Sequence, residues 1–556
     1  MKKILLIILS IIVIIPAVAP FFNSGFFVVH DNTQVERVFQ MTKSLSDGQF
    51  PVRWVDDLGY GYGYPIFNFY APFPYYIAGF LNLILSDSLL STKIMFIIGT
   101  VFSFFTMYLF ARNISGRAGG FTAAVTYLYF PYHAVNIYVR GAVGEFFAYA
   151  FFPAVFLGIY YIYEKADRLK SKKIVLESFF IAVPVALVAI SHNLSAFMMG
   201  LLLIPYILFL IFKSKKRIKF ILSLIILFFT ALLFSSFYIL PAIFESSYTN
   251  VMSQIGGGAD YPDHFVCINQ LWHSNWGFGG SILGCTDGLS FAIGKFNILL
   301  ILTSFLLFAF YIFKKRRMNN EIIFWILLSI SIFLMLPFSK FIWDTLPFME
   351  YLQFPWRFLN FVGLFSALVI GLSIQKIKMK RIQFAILIVV LLGQFYFNAK
   401  LFRPATFNDL GNSYYENIDH IRYDTSKISD EYMPNNFTKP ESEMEVPRDV
   451  IEPVFGTSML LVNYKTGYIE FVSDGSGGLL KINKASFPGW KAEVDNKPVG
   501  IIESQSGVAI KIPEGRHNIV LKIVSTPIQT IGNVLSLVGV LVIIVAIIIK
   551  NKKLYE

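Results

Sequence analysis

Apolar segments that alternate with basic clusters constrain this chain more than any other feature. Lys and Arg are retained in the cytoplasmic loops of membrane proteins, and short basic clusters separate the apolar runs throughout the sequence. The clusters are Lys2-Lys3, Arg112 with Arg117, and residues 165–173, 213–219, 314–317, 376–381 and 550–553. They all fall on the same side of a membrane only if the apolar run 72–85 does not cross. We therefore predict that this run is a re-entrant or interfacial segment.

The other apolar runs are long enough to cross a bilayer. Most contain ~17–23 residues, enough for a helix to span a ~30 Å hydrocarbon core. The sequence predicts a polytopic α-helical membrane protein with about 12 spans, at residues 4–22, 94–111, 118–133, 146–163, 174–190, 194–212, 220–240, 296–313, 321–338, 357–375, 382–398 and 527–549. The composition agrees, because 55% of the residues are hydrophobic and only 15% are charged.

The net charge of +12 follows from the same loops. Its basic residues are scattered over short connections and form no continuous patch of the kind that binds nucleic acid. The sequence therefore predicts a membrane partner and no nucleic-acid partner.

Three stretches between the spans are long enough to fold outside the membrane, at residues 23–71, 241–295 and 400–526. Both chain ends are then cytoplasmic. We divide the chain into a transmembrane domain at 1–399, an extracytoplasmic β-rich domain at 400–526, and a final transmembrane helix with a cytoplasmic tail at 527–556.

The third stretch has the pattern of a small antiparallel β-sandwich. Alternating apolar residues separated by Gly, Asp, Asn and Pro turns predict strands at 468–472, 479–482, 490–494, 508–512 and 519–523. Residues 400–460 are polar with little periodicity, which indicates irregular or mixed structure.

The only two cysteines, Cys267 and Cys285, lie in one predicted external loop. A disulfide is expected on the oxidising side of the membrane. Two free thiols are the alternative. A zinc site is less favoured because His264 and His273 lack a recognisable ligand spacing.

A candidate general base follows the first span. His30-Asp31 ends an apolar stretch, where a carboxylate at the membrane surface is partly desolvated and can accept a proton from a hydroxyl group. The alternative is an ordinary solvated helix end. Farther along, Asp56 and an aromatic run at 59–70 suit either an interfacial belt or a platform for sugar rings.

Arginines on the predicted outer face contradict the positive-inside bias. Arg140 lies in a turn that also carries Glu145, and Arg357 opens a later span after Phe-Pro-Trp. Phosphate binding would explain such arginines, while Arg357 as a snorkelling anchor and His192 as a polar helix connection remain open. Ionisable groups at this depth are functional candidates.

Several motifs together resemble a known family. They are HD at 30–31, GQFPVRW at 48–54, GYGYP at 61–65, PYH at 131–133, YVRGAVGE at 138–145, SHN at 191–193 and FPWR at 354–357. The set resembles the bacterial and archaeal membrane proteins labelled 6-pyruvoyl-tetrahydropterin synthase-related, which are similar to polytopic GT-C glycosyltransferases. Residues 487–517 look like the β-domain that ends many bacterial membrane glycosyltransferases.

The resemblance implies a GT-C-like fold and a polyprenyl-phosphate sugar donor, with a glycan, lipid or protein acceptor outside the cytoplasmic membrane. Asp31 matches the acidic residue of the first external loop and would be the inverting general base. The predicted phosphate-binding groups are Arg53, Arg140, His192 and Arg357. The predicted supporting groups are His30, Asp56 and Glu145.

We expect no metal cofactor, because the external loops contain no Asp-x-Asp pair; a divalent cation remains compatible, since some GT-C relatives use one. A transporter for a polyprenyl-linked glycan and a non-catalytic cell-envelope assembly protein are the alternative functions. A transporter would be expected to show mid-span charges and repeated helices.

Overall fold

The computed structural model describes residues 2–168, 170–251, 259–315, 320–435, 437–504 and 507–555. Its helices are α1 (Lys2–Val18), α2 (Gln34–Ser46), α3 (Ile66–Phe69), α4 (Phe73–Leu85), α5 (Ser88–Leu128), α6 (Pro131–Ala134), α7 (Val143–Ala166), α8 (Ser171–Ser191), α9 (Asn193–Lys213), α10 (Arg217–Phe244), α11 (Ile268–Trp272), α12 (Lys295–Lys315), α13 (Ile322–Phe333), α14 (Lys340–Thr345), α15 (Leu359–Gln375), α16 (Lys380–Phe397), α17 (Asn412–Tyr415), α18 (Ile418–His420), α19 (Ser426–Ile428) and α20 (Pro527–Tyr555). Its strands are β1 (Phe26–Phe27), β2 (Phe407–Asn408), β3 (Thr457–Lys465), β4 (Tyr468–Gly475), β5 (Gly478–Ile482), β6 (Trp490–Val494), β7 (Lys497–Val499), β8 (Ile501–Ser504), β9 (Gly507–Ile512) and β10 (Gly515–Ile523).

Helices of membrane-spanning length dominate the first 400 residues. Across the described ranges, nine helices are long and apolar enough to cross a membrane, or ten if the bent pair at 322–345 is one span. That pair bends by 93° between Phe333 and Pro337. The predicted polytopic helical fold is confirmed.

The two predicted spans on either side of Arg112 and Arg117 form one hairpin. Helix α5 contains 41 residues but is interrupted at Gly116, whose φ of 76° is left-handed. The chain reverses there, and the rings of Phe104 and Phe121 come to lie 5.6 Å apart. Twelve crossings thus require counting this hairpin as two, the bent pair as one, and the 17-residue α1 as one.

The run predicted not to cross forms the short helix α4. Its 13 residues extend ~20 Å, less than a hydrocarbon core. One face packs on α2 and α5, while Phe80, Leu83 and Ile84 are exposed. The exposed face is apolar and suited to contact lipid, while the helix is too short to cross the bilayer.

Helix α15 lies at the centre of the helical domain. Almost every residue between Leu359 and Ile374 is buried, and the helix packs on α5, α12 and α13. Helices α12, α16 and α20 instead expose most of their apolar side chains. A helix that is apolar on all sides and buried is a core element, whereas the exposed apolar helices are suited to contact lipid.

The C-terminal domain consists of two antiparallel sheets. One has the strand order β3-β4-β10-β6-β7 and the other β5-β9-β8. In the larger sheet Phe471 pairs with Ile519, and Ile469 pairs with Leu521; all four side chains are fully buried. The β-sandwich prediction is confirmed, and the sequence analysis missed β3, β7 and β8.

The aromatic run at 59–70 joins the first external loop to the C-terminal domain. Tyr60, Tyr62 and Tyr64 are buried, and the ring of Tyr62 lies 5.0 Å from that of Phe437. A side chain at Gly63 would collide with the Val55 carbonyl oxygen and the Trp54 indole. Tyr60, Tyr62 and Tyr64 therefore form an interdomain contact rather than an exposed belt or sugar platform.

Candidate functional site

Asp31 is held beside Arg140 by backbone hydrogen bonds. The N–H groups of His30 and Asp31 donate to the carbonyl oxygens of Val139 and Arg140, at 3.0 and 2.9 Å. Thr33 then donates its N–H to the Asp31 carbonyl oxygen at 2.9 Å, directly before α2. The backbone of the half-buried Asp31 is thus fixed next to the turn that carries Arg140.

Glu145 is the centre of a buried ionic cluster. Its carboxylate accepts hydrogen bonds from Tyr132 Oη at 2.8 Å, Arg140 Nη1 at 2.7 Å and Asn360 Nδ2 at 2.7 Å. Arg357 Nε lies 3.5 Å from the same carboxylate. Because Glu145 is almost fully buried and its oxygens are occupied, it is suited to positioning the arginines rather than to accepting a proton.

Arg140 belongs to the π-helical turn Val135–Arg140, which follows α6. Its Nη1 also donates to Tyr132 Oη at 3.0 Å and to Asn136 Oδ1 at 2.9 Å. Burial lowers the pKa of Arg140, but Glu145, Tyr132 and Asp31 together raise it by more, so the net shift is upward. The guanidinium group therefore stays charged.

Aromatic rings cover both arginines. The guanidinium carbon of Arg140 lies 4.8 Å from the Trp356 ring centre, and that of Arg357 lies 4.9 Å from the Phe354 ring centre. Within the described part of the chain, Arg357 Nε and Trp356 Nε1 are buried without a hydrogen-bond acceptor. A buried N–H without an acceptor costs ~1–3 kcal/mol, so these two groups keep unused donor capacity beside Glu145.

His192 lies at the junction of α8 and α9, next to this cluster. The Ser195 N–H donates to His192 Nδ1 at 3.1 Å, which leaves Nε2 as the protonated nitrogen. Burial lowers the pKa of His192 to about 3, although Glu145 opposes the shift, so the ring is neutral at neutral pH. The close approach depends on Gly144, since a Cβ there would lie 2.6 Å from the Ser191 carbonyl oxygen.

A second charged pair interacts with Asp31. Arg37 on α2 and Glu431 form an ion pair of 3.6 Å. Asp31 interacts electrostatically with Glu431 and with both site arginines. The structure therefore brings Asp31, Arg140, Arg357, Glu145 and His192 into one region.

Arg53 lies in a different hydrogen-bond network from Arg140 and Arg357, and its role in binding the donor phosphate stays a prediction. Its guanidinium donates to Asn68 Oδ1 at 2.9 Å, the Phe237 carbonyl oxygen at 2.8 Å and Asn533 Oδ1 at 2.7 Å. These partners belong to the first external loop, α10 and α20. Arg53 thus joins the loop to the last helix.

Asp56 and His30 also have structural partners. Asp56 accepts a hydrogen bond from Trp54 Nε1 at 2.8 Å and lies 3.5 Å from Lys484 Nζ in the β-domain. His30 Nε2 lies 3.0 Å from the carbonyl oxygen of Phe278, in the second external loop. Asp56 is therefore a domain contact, and His30 connects the Asp31 segment to the second loop.

That second loop contains the disulfide between Cys267 and Cys285, with Cα atoms 5.7 Å apart. The pairing expected from the sequence is the one present. The two cysteines lie on either side of Phe278, which contacts His30.

The acidic groups do not fit a metal centre. Among the residues with described positions, no group of three or more His, Cys, Asp or Glu side chains converges. Glu145 is already paired with two cations, and Asp31 interacts electrostatically with the same two arginines. We derive no step through a metal ion.

Several site residues were missed by the sequence analysis. Asn360 approaches the cluster from the start of α15, while Tyr132 and Trp356 were present in motifs without an assigned role. No sequence pattern pointed to Arg37 or Glu431. Glu431 lies in the 400–460 segment, which has little periodicity.

Residues 67–255 match the model of a family described as 6-pyruvoyl-tetrahydropterin synthase related domain, membrane protein. The family suggested by the motifs is the family that matches. The matched range carries Arg140, Glu145 and His192. An uncharacterised protein of Lactococcus lactis subsp. cremoris is 24% identical over 223 residues, which is 38% of this chain and 35% of that protein.

Solved structures share the fold. The arabinofuranosyltransferase AftD from Mycobacteria aligns with a TM-score of 0.50 at 12% identity, over 76% of this chain and 29% of that one. The oligosaccharyltransferase AglB from Archaeoglobus fulgidus, in complex with an inhibitory peptide and a dolichol-phosphate, aligns with a TM-score of 0.50 at 12% identity, over 80% of this chain and 61% of that one. The chain spans less than two thirds of each, and the likeness establishes a GT-C-like fold.

Proposed function

We propose that this protein is a membrane glycosyltransferase that moves a sugar from a polyprenyl-phosphate donor to an acceptor outside the cytoplasmic membrane. The GT-C-like fold supports the reaction class, since both aligned proteins are named as glycosyl-transferring enzymes. AglB was solved with a dolichol-phosphate, which supports a lipid-linked donor.

One observation carries the proposal: the backbone of Asp31 is hydrogen-bonded to the turn that holds Arg140, whose guanidinium group is clustered with Glu145 and Arg357. Asp31 is hydrogen-bonded through its backbone to Arg140 and acts electrostatically on Arg357. Sugar transfer from a phosphate requires both a base and cations. The base takes a proton from the acceptor, and the cations stabilise the negative charge that develops on the leaving phosphate.

In the proposed reaction, the oxygen of an acceptor hydroxyl attacks the anomeric carbon of the donor sugar. The bond between that carbon and the phosphate oxygen breaks, and its electron pair leaves with the polyprenyl phosphate. Asp31 takes the hydroxyl proton. Attack from the face opposite the leaving group inverts the configuration.

The cationic groups stabilise the leaving phosphate. Arg140 and Arg357 supply charge and N–H donors, and the neutral His192 donates through Nε2. Glu145 balances part of that charge and fixes the orientation of both arginines. Preorganised donors of this kind act where charge develops in the transition state.

The decisive experiment compares Asp31→Asn with the wild type. Purified protein in lipid nanodiscs is given a polyprenyl phosphosugar and candidate acceptors, and release of polyprenyl phosphate is measured. The Asn variant keeps the shape of the side chain but is not a base, so transfer falls ~10²–10⁴-fold. Donor affinity changes far less, because the arginines remain.

Two results would contradict the proposal. Near-normal transfer by Asp31→Asn would remove Asp31 as the base. If the wild type discharges no donor, the enzyme assignment gives way to the transporter or assembly alternatives. A lipid-flipping assay on the same purified protein, reconstituted in liposomes, would separate these two.

A further inference from the structure

Glu431 is an acidic residue without a structural role that accounts for its position. It follows α19 in the segment that leads to the β-domain, and its side chain retains 19% exposure although it faces the helical domain. In the described part of the chain, its one ion pair is the 3.6 Å contact with Arg37. This distance exceeds that of a strong charge-assisted hydrogen bond.

Arg37 is held in place by other groups. Its Nη2 donates to Ser429 Oγ at 2.8 Å, and its guanidinium carbon lies 4.4 Å from the centre of the Tyr70 ring. Its Nε is buried without a hydrogen-bond acceptor among the residues whose positions are described. The pair therefore retains an unused N–H donor on Arg37 and acceptor capacity on Glu431.

This pair shares its surroundings with Asp31. Thr33 donates its N–H to the Asp31 carbonyl oxygen at 2.9 Å, and Arg37 donates its N–H to the Thr33 carbonyl oxygen at 3.1 Å, so two backbone hydrogen bonds link Arg37 to Asp31. Asp31 and Glu431 also both act electrostatically on Tyr70. Burial raises the pKa of Glu431, although Arg37 opposes the shift. The arrangement is separate from the Glu145 cluster, whose carboxylate is occupied by Tyr132, Arg140 and Asn360.

We propose that Glu431, Arg37 and Tyr70 form the binding subsite for a carbohydrate acceptor. The subsite rests on the proposed function, because it places an acceptor hydroxyl within reach of Asp31. It also selects one acceptor class from the three that the sequence left open.

The chemistry of the three side chains favours a sugar. A carboxylate accepts hydrogen bonds from neighbouring hydroxyl groups, a guanidinium group donates to ring and hydroxyl oxygens, and a tyrosine presents both an apolar ring and a hydroxyl. A lipid acceptor would need an apolar wall instead. No bond is made or broken by Glu431: it orients one hydroxyl while Asp31 deprotonates another.

A binding experiment tests the subsite without requiring turnover. Wild-type protein in lipid nanodiscs, free of glycoside detergent, is mixed with methyl glycosides of common hexoses and pentoses, and with a Ser- and Thr-containing peptide as comparison. Saturation-transfer NMR measures binding. We expect at least one methyl glycoside to bind, and Glu431→Gln to weaken it ~10-fold or more, the effect of losing a charge-assisted hydrogen bond.

Two further variants control for folding and charge. Glu443→Gln alters an exposed carboxylate in the same segment and should leave binding within twofold. Glu431→Asp keeps the charge on a shorter side chain and should restore part of the affinity. Elution profiles and thermal midpoints show whether each variant remains folded.

The inference is overturned if no glycoside binds to the wild type, if Glu431→Gln binds glycosides as tightly as the wild type, or if the peptide binds at Glu431 instead.

In turnover assays, Glu431→Gln should raise the KM for acceptor with little change in kcat. A fall in kcat at unchanged KM would make Glu431 a base and overturn the subsite. Failure of donor discharge in the wild type would instead contradict the proposed function, whatever the binding result.

Discussion

Glu145 shows how one residue defines the charge of the site. Its carboxylate lies within 2.7 Å of Arg140 Nη1 and 3.5 Å of Arg357 Nε, so a single buried acid holds two cations together. Removing Arg140 would leave Glu145 with the weaker of its two cationic partners, and breaking a buried ion pair typically costs ~3–5 kcal/mol. Arg357 is therefore the better residue for a functional test.

Arg357→Gln is expected to weaken donor binding while the protein stays folded. The strong 2.7 Å pair between Arg140 and Glu145 remains, so the buried acid keeps its principal partner. The KM for a polyprenyl phosphosugar should rise ~10-fold or more, the value of a charge-assisted hydrogen bond. Arg357→Lys should recover only part of the loss, because the planar guanidinium fork is gone.

Arg403→Gln is the matched control, since Arg403 is an exposed arginine beyond the last helix of the first domain. Its KM should equal that of the wild type. Unchanged donor KM in Arg357→Gln would exclude phosphate binding as the role of Arg357.

The sequence singled out Arg140 and Arg357 because each lies on the predicted outer face, whereas Lys and Arg usually lie in cytoplasmic loops. It did not identify Asn360, whose amide reaches Glu145 across 215 positions of sequence, because that contact depends on how α15 packs against α7. The partners of Arg53 on α10 and α20 gave no signal in the sequence either, because they too are set by helix packing.

At the scale of elements, the approach of α7 to the junction of α8 and α9 depends on Gly144. A Cβ at this position would lie 2.6 Å from the Ser191 carbonyl oxygen and 3.3 Å from the His192 ring. Gly144→Ala should therefore displace His192 from Glu145 and destabilise the protein by ~1–3 kcal/mol, the usual cost of overpacking. The thermal midpoint and transfer activity should both fall.

Gly200→Ala is the control for this substitution. Gly200 lies inside α9, and no heavy atom lies within 4 Å of the position that a Cβ would take there. Alanine should therefore be neutral or stabilise by up to ~1 kcal/mol through helix propensity. Equal thermal midpoints for the two variants would show that Gly144 does not set the contact.

Element boundaries followed from the sequence where periodicity and turn residues agreed. The strands around Ile469, Phe471 and Leu480 were predicted, because buried residues alternate with polar ones and Gly-rich turns separate them. The edge strands β7 and β8 were missed, since a strand of three or four residues has too few alternations to recognise. The sequence predicted only a basic connection between two spans around Gly116. It did not predict the chain reversal at this residue, because hydropathy carries no information on a left-handed backbone.

At the scale of the whole molecule, the topology depends on whether α4 crosses the membrane. If it lies at the outer surface, the start of α5 is outside, and Leu90→Cys should react with a membrane-impermeant maleimide added to intact cells. Leu90 is 42% exposed, and the native cysteines are paired. Lys215→Cys, in an exposed basic connection, should react only after permeabilisation; the reverse pattern would place α4 across the membrane.

Docking of the β-domain onto the first external loop rests on a buried ion pair. Lys484 and Asp56 are both nearly inaccessible and lie 3.5 Å apart, and Lys484 Nζ also donates to Tyr464 Oη at 3.0 Å. Burial lowers the pKa of Lys484, while Asp56 and Asp57 oppose the shift. The pair therefore connects the domain that carries Glu431 to the loop that follows Asp31.

Lys484→Met should leave Asp56 as a buried charge without its cation and weaken the docked state by ~3–5 kcal/mol. Limited proteolysis of the 438–460 connection should accelerate and transfer should fall, because Glu431 is no longer held near Asp31. Adding Asp56→Asn removes the uncompensated charge and should restore part of both properties.

Lys481→Met is the matched control: its pair with Glu452 is at the surface, and such pairs contribute ~0–1 kcal/mol. If Lys484→Met and Lys481→Met are cleaved at the same rate as the wild type, the buried pair does not hold the two domains together, and the orientation of Glu431 must depend on the aromatic contacts between Tyr62 and Phe437.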